Sequence, residues 1–153
     1  MPPEPISTPL ALLDLAERLG SLADIERHWF EVTSRWSADA VDPRAIRLLA
    51  TLSVHHGSRF DLLVQRLPAL NGQPPTAWLG RPAESPRLMD DPGGADDFSR
   101  IEHLAATVLS GLVAEAEALS ADVDPRVDGP THRVLRQYWQ ELMADLDAIT
   151  AAR

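Results

Sequence analysis

The sequence predicts an all-α protein, an antiparallel four-helix bundle built from two helical hairpins joined by a long proline-rich crossover. Three observations lead there. Apolar residues recur at helical spacing in four separate segments, and no strand-like alternation competes with them. Residues 68 to 97 carry six prolines and four glycines and divide the second segment from the third. Finally, nearly the same connector occurs once in each half: Ser37-Ala38-Asp39-Ala40-Val41-Asp42-Pro43-Arg44 and Ser120-Ala121-Asp122-Val123-Asp124-Pro125-Arg126. At 153 residues the chain has the length of one domain with a single core, so residues 1–153 are read as one helical unit.

The first helix is expected over about 9–36, with Thr8 as its cap and Pro9 in its first turn. Gly20-Ser21, followed by Asp24 in a capping-box spacing, suggests a break near residue 20. Leu22, Ile25, Trp29, Val32 and Trp36 then form one apolar stripe. A second helix over 43–67 starts at the cap-and-proline pair Asp42-Pro43 and stops before Pro68. Its expected inner stripe is Ile46, Leu49, Ser53, His56, Phe60, Leu63 and Leu67, in which a serine and a histidine interrupt an apolar face.

A connection as long as 68–95 is unusual inside a bundle unless it travels the length of the fold. Trp78-Leu79 and Leu88-Met89 give it apolar residues with which to dock on the helices. The third helix is expected over 96–120, with Ile101, Ala105, Val108, Leu112 and Leu119 inward. The fourth, over 130–151, would turn His132, Leu135, Trp139, Leu142, Leu146 and Ile149 to the core. The twin connectors, with Ile25-Glu26-Arg27 echoing Ile101-Glu102-His103 upstream, suggest an internal repeat of two related hairpins.

Composition excludes several chemistries. There is no cysteine, so disulfides, thiolate catalysis and Cys-ligated metals are impossible. All 14 basic residues are arginines, which rules out a lysine Schiff base or P-loop lysine. With 23 acids and a net charge of -9, the chain is poorly suited to nucleic acid. The acidity is uneven: residues 1–76 hold seven arginines against nine acids, and residues 77–153 seven against fourteen. No uninterrupted apolar run approaches the ~18 residues of a membrane span, and Met1-Pro2-Pro3-Glu4-Pro5 does not read as a secretory leader. The expectation is therefore a cytoplasmic protein without nucleic-acid or membrane partners.

The stretch Leu48-Leu49-Ala50-Thr51-Leu52-Ser53-Val54-His55-His56, continued by Phe60-Asp61-Leu62-Leu63-Val64-Gln65-Arg66-Leu67-Pro68, resembles a group of uncharacterised bacterial ferritin-like helical proteins. Asp128-Gly129-Pro130-Thr131-His132-Arg133-Val134-Leu135-Arg136 extends the likeness, which spans most of the helical chain. The resemblance implies a ferritin-like bundle and raises the question of a carboxylate and histidine metal site. Such sites use Glu-x-x-His, which places both side chains on one inward face. Here Leu52 precedes His55 by three, Ser53 precedes His56 by three, and Ala144 follows Glu141 by three, so neither motif is present.

A reduced site remains conceivable. Glu26 and His56 lie at similar distances from the first connector and can meet across a hairpin, and Glu102 falls on the inner stripe of the third helix with Ala105, Leu109 and Leu112. Glu26, His56 and Glu102 are thus the candidate metal ligands, for iron or manganese. The structural alternative makes His56 a core imidazole bonded to Glu26, Ser53 or a backbone carbonyl, with His55 and Arg59 nearer the helix edge. Ser53 with His56 lacks any elbow or oxyanion signature, so no catalytic residue is assigned. Gly93-Gly94, followed by acids, is a turn and not a phosphate loop. Three readings follow. The first is a noncatalytic interaction or accessory module, acting through a protein partner or self-association and needing no cofactor. The second is a divergent metal-dependent oxidoreductase or metal binder using Glu26 and His56. The third is a small-molecule-binding bundle with a pocket among the tryptophans.

Overall fold

The computed structural model describes residues 12–67, 74–81 and 85–152, apart from the side chains of residues 75 and 76. Among them all regular structure is helical: α1 (Leu12–Asp39), α2 (Pro43–Arg66), α3 (Asp97–Asp122) and α4 (Gly129–Ala151), with 3₁₀ turns at Pro75–Trp78 and Pro86–Met89 in the crossover. The expected Thr8 cap lies outside the described residues.

The helix starts follow from cap chemistry. Asp42 accepts the Arg44 backbone N–H at 2.7 Å, with Pro43 in the first turn of α2. In the second connector Asp124 accepts the Arg126 N–H at 2.8 Å, the same Asx turn on the same Asp-Pro-Arg triplet. That turn does not itself open α4, because Asp128 caps it by accepting from Thr131 N–H. Asp96 caps α3 with bonds from Phe98 and Ser99 N–H.

The expected break near residue 20 is absent, and α1 runs through Gly20-Ser21 without interruption. Glycine serves packing there. A Cβ at Gly20 would run into the Trp78 carbonyl, so the missing side chain is a notch that seats the crossover. A second notch lies at Gly111, where a Cβ would collide with the Leu88 side chain. Two hydrogen bonds lock these seats: Trp29 Nε1–H donates to the Leu88 carbonyl at 2.5 Å, and Gly80 N–H donates to Asp24 at 2.7 Å. Trp78 and Leu88, the residues marked out by their apolarity, are both buried.

Side-chain contacts fix the chain's course. Ser34 meets Ser53, and Ser37 donates to the Ile46 carbonyl, so α1 and α2 run antiparallel. Asp97 at the start of α3 accepts from Val41 and Asp42 N–H, while Arg18 pairs with Asp122 at its end. Arg66 at the end of α2 bonds Asp128 and Thr131 at the start of α4. Hence α2 and α3 run in the same sense, and the crossover must span the bundle to join them.

One hydrophobic cluster draws on all four helices. The α1 stripe is buried throughout, as are Ile101, Ala105, Val108, Leu112 and Leu119 of α3. Within α3, residues Leu104–Leu109 form a π-helical segment, and Ser110 Oγ donates to the Ala105 carbonyl five residues back. This helix is long and apolar enough to cross a membrane by length and composition alone, a test that core helices of bundles also pass.

Candidate functional site

Midway along the bundle, five polar side chains lie inside the core. From α1 comes Glu26, from α2 His56 and Arg59, and from α4 Tyr138 and Asp145; all are fully buried except Asp145, which is 3% exposed. Helix geometry brings them together: His56 and Arg59 are three apart, Tyr138 and Asp145 seven apart, and each pair shares one face.

Glu26 is the hub. Its Oε1 accepts from Arg59 Nε at 3.0 Å and from the Tyr138 hydroxyl at 2.7 Å, while Oε2 lies 2.5 Å from His56 Nδ1. Burial works to raise the Glu26 pKa, but the Arg59 charge, His56 and the bonds from His56 and Tyr138 outweigh it and hold the pKa below the ordinary glutamate value. Glu26 is therefore ionised and His56 Nδ1–H donates to it. Because arginine only donates, the 3.1 Å approach of Arg59 Nη2 to the same nitrogen is a contact and not a second hydrogen bond. His56 Nε2 is buried and finds no hydrogen-bond partner among the described residues.

Arg59 ties the two carboxylates together. Its Nη1 donates to Asp145 Oδ2 at 2.6 Å, and Asp145 Oδ1 lies 2.6 Å from Nδ1 of the partly exposed His55. Burial opposes the guanidinium charge, yet Glu26 and Asp145 more than offset it and raise the Arg59 pKa. Desolvation and then the Glu26 charge push the Tyr138 pKa well above the usual phenol value, so its hydroxyl remains a donor.

The structure thus brings Glu26 and His56 together and leaves the third metal candidate apart. Glu102 is exposed, because Ile101 takes the inward position and Glu102 falls one residue round the helix. Both Glu26 oxygens are already engaged by three donors, and the guanidinium stands between the carboxylates where a metal ion would have to sit. Among the described residues no three His, Asp or Glu side chains form a group that could hold a metal. Ser53 bonds Ser34 and the Phe30 carbonyl, not His56, so it has no activating base.

Two expectations about inward faces are corrected. On α2, Ile46 is 36% exposed and Phe60 partly so, while Arg59, expected at the edge, is enclosed. On α4 Leu135, Leu142 and Ile149 are buried as expected, but the core takes Thr131, Tyr138 and Asp145 where His132, Trp139 and Leu146 were expected, so the inner face is turned by less than one residue. Hydrogen-bonding demand from Glu26 and Arg59 sets that register. The three missed residues leave one faint signal, since Arg59 stands three after His56 on the same helical face.

Two clefts among the described residues lie elsewhere. One of about 260 Å³ opens between α1 and the crossover beside Asp24, Arg27, His28 and Arg81. Another of about 290 Å³ runs along α3 and α4 beside Glu117, His132, Arg136 and Trp139. Neither is lined by a member of the Glu26 cluster. No family model matches the chain, and neither a curated protein nor a solved structure matches it.

Proposed function

We propose that the chain is a noncatalytic, ferritin-like helical module whose polar core is structural and whose work is done at its surface, through association with protein. The observation that carries this reading is the closure of the Glu26 cluster. Its titratable groups on α1 and α2 are fully buried, and its two carboxylates are bridged by Arg59 from within the fold. Catalysis needs a group that meets a substrate, and a carboxylate already holding three donors has little to offer one.

The same observation weighs against the iron or manganese reading, since a cation entering between Glu26 and Asp145 would have to displace a guanidinium bonded to both. The ferritin-like assignment is supported by the shared direction of α2 and α3 and by a crossover that travels between their ends. Metal analysis of protein purified without an affinity tag tests the proposal. Substoichiometric iron, manganese and zinc are expected; one or more equivalents of any of them would overturn it.

A further inference from the structure

The outward face of α2 carries a row of residues the bundle does not use. Ile46, Ala50, Val54 and Gly57 follow one another at spacings of four, four and three, so they form a stripe along one side of the helix. Val54 is 64% exposed, and Phe30 of α1, 43% exposed, lies against Gly57 and widens the stripe. Small side chains at Ala50, Thr51, Gly57 and Ser58 leave the surface shallow enough for another backbone to approach.

The charges beside this stripe are arranged about its centre. Arg47 precedes Val54 by seven residues and Asp61 follows it by seven. Seven residues are almost two helical turns, so both project from the Val54 side, each about 10 Å along the axis from it. Both are exposed, and neither makes an ion pair among the described residues. Turning a second α2 end for end about Val54 brings its Asp61 opposite Arg47 and its Arg47 opposite Asp61. The face is therefore complementary to itself, as a twofold interface requires.

Overall charge favours the same partner. Residues 12–66 hold seven arginines and eight acids, whereas residues 97–151 hold four arginines and ten acids. Two copies of a chain with net charge -9 repel unless they meet through their least acidic surface. Contact through α2 does that and keeps the acidic hairpins on opposite sides.

We propose that this face of α2, with Phe30 beside it, docks on the same face of a second copy about a twofold axis at Val54, pairing Arg47 of each copy with Asp61 of the other. The inference deepens the association reading and rests on it. Because the chain has no cysteine, Val54→Cys introduces a single thiol at the proposed axis, where two Cα atoms can come within disulfide reach. Oxidation with diamide is expected to couple Val54→Cys into a covalent dimer at least about tenfold faster than Val127→Cys, whose position is 75% exposed but lies by the far end of α2, next to the Asp128 that Arg66 bonds and away from the proposed axis.

Sedimentation of charge variants supplies the second arm. Arg47→Glu and Asp61→Arg should each weaken dimerisation by about tenfold or more, since like charges then face each other twice. Mixing the two variants, or combining both changes in one chain, should restore it. Circular dichroism and melting of each variant confirm that these surface changes leave the fold intact. Equal coupling rates at positions 54 and 127, or a mixture no better than either variant alone, would overturn the proposal. A wild-type dimer indifferent to these changes would refute this face and leave the association reading standing. A wild-type monomer at all concentrations would refute the second copy as partner, while metal content still decides the noncatalytic reading.

Discussion

Two regions of this bundle are held by opposite means. The Glu26 cluster fixes α1, α2 and α4 through directional charge-assisted bonds in the buried interior, whereas the crossover is fixed on α1 and α3 largely by shape, with Trp78 and Leu88 seated at glycine notches. The first kind of contact tolerates loss of a partner badly, because the charge left behind cannot reach water. The second tolerates added volume badly. The contrast shows what buried polar groups do for packing here: they tie three helices together at a desolvation cost that their mutual bonds offset.

The largest expected effect comes from breaking the cluster at its cation. Arg59→Met should lower unfolding free energy by about 3–5 kcal/mol, as removal of one partner from a buried ion pair does, measured by urea denaturation. Next is acid. Glu26 has a folded pKa below its unfolded value, so its stabilisation is complete above about pH 4.3 and is lost as pH falls through the folded pKa. Melting temperature should therefore drop on acidification below about pH 4, and Glu26→Gln, already less stable at pH 7, should flatten that part of the profile.

Overfilling the seats comes third. Gly→Ala inside a helix ordinarily gains up to about 1 kcal/mol, but Gly20→Ala should instead cost about 1–3 kcal/mol, because the Trp78 backbone must move, and Gly111→Ala should cost less, because only the end of the Leu88 side chain is displaced. Stabilisation by either alanine in a thermal melt would show that the crossover is not seated there. The smallest effect belongs to the caps, with Asp42→Ala costing about 1 kcal/mol.

Helix number and the starts of α2 and α4 were legible because they depend on local signals. Asp42-Pro43 and Gly129-Pro130 announce helix starts, and the α1 stripe from Leu22 to Trp36 shows unbroken periodicity. The crossover's docking residues were legible for a related reason, as Trp78 and Leu88 are costly to leave in water. The cluster was only half legible. Glu26 and His56 could be matched by their distances from a turn, but Arg59 and Asp145 look like surface residues to any rule that sorts by hydrophobicity. Tyr138 and Trp139 are both aromatic, so apolarity alone cannot choose between them; the choice belongs to the Glu26 carboxylate, which sits 112 residues away. Gly20 was misread for a similar reason, since the group that needs its notch lies in the crossover.

The most direct measurement is a double-mutant cycle between Glu26 and Arg59, using Glu26→Gln, Arg59→Met and the two combined in urea unfolding at pH 7. If Arg59 is the core's own neutralising cation, the combined variant should lose at least about 2 kcal/mol less than the sum of the single losses. Losses that add to within about 0.5 kcal/mol would contradict it, and would mean that the two charges are fixed by other partners.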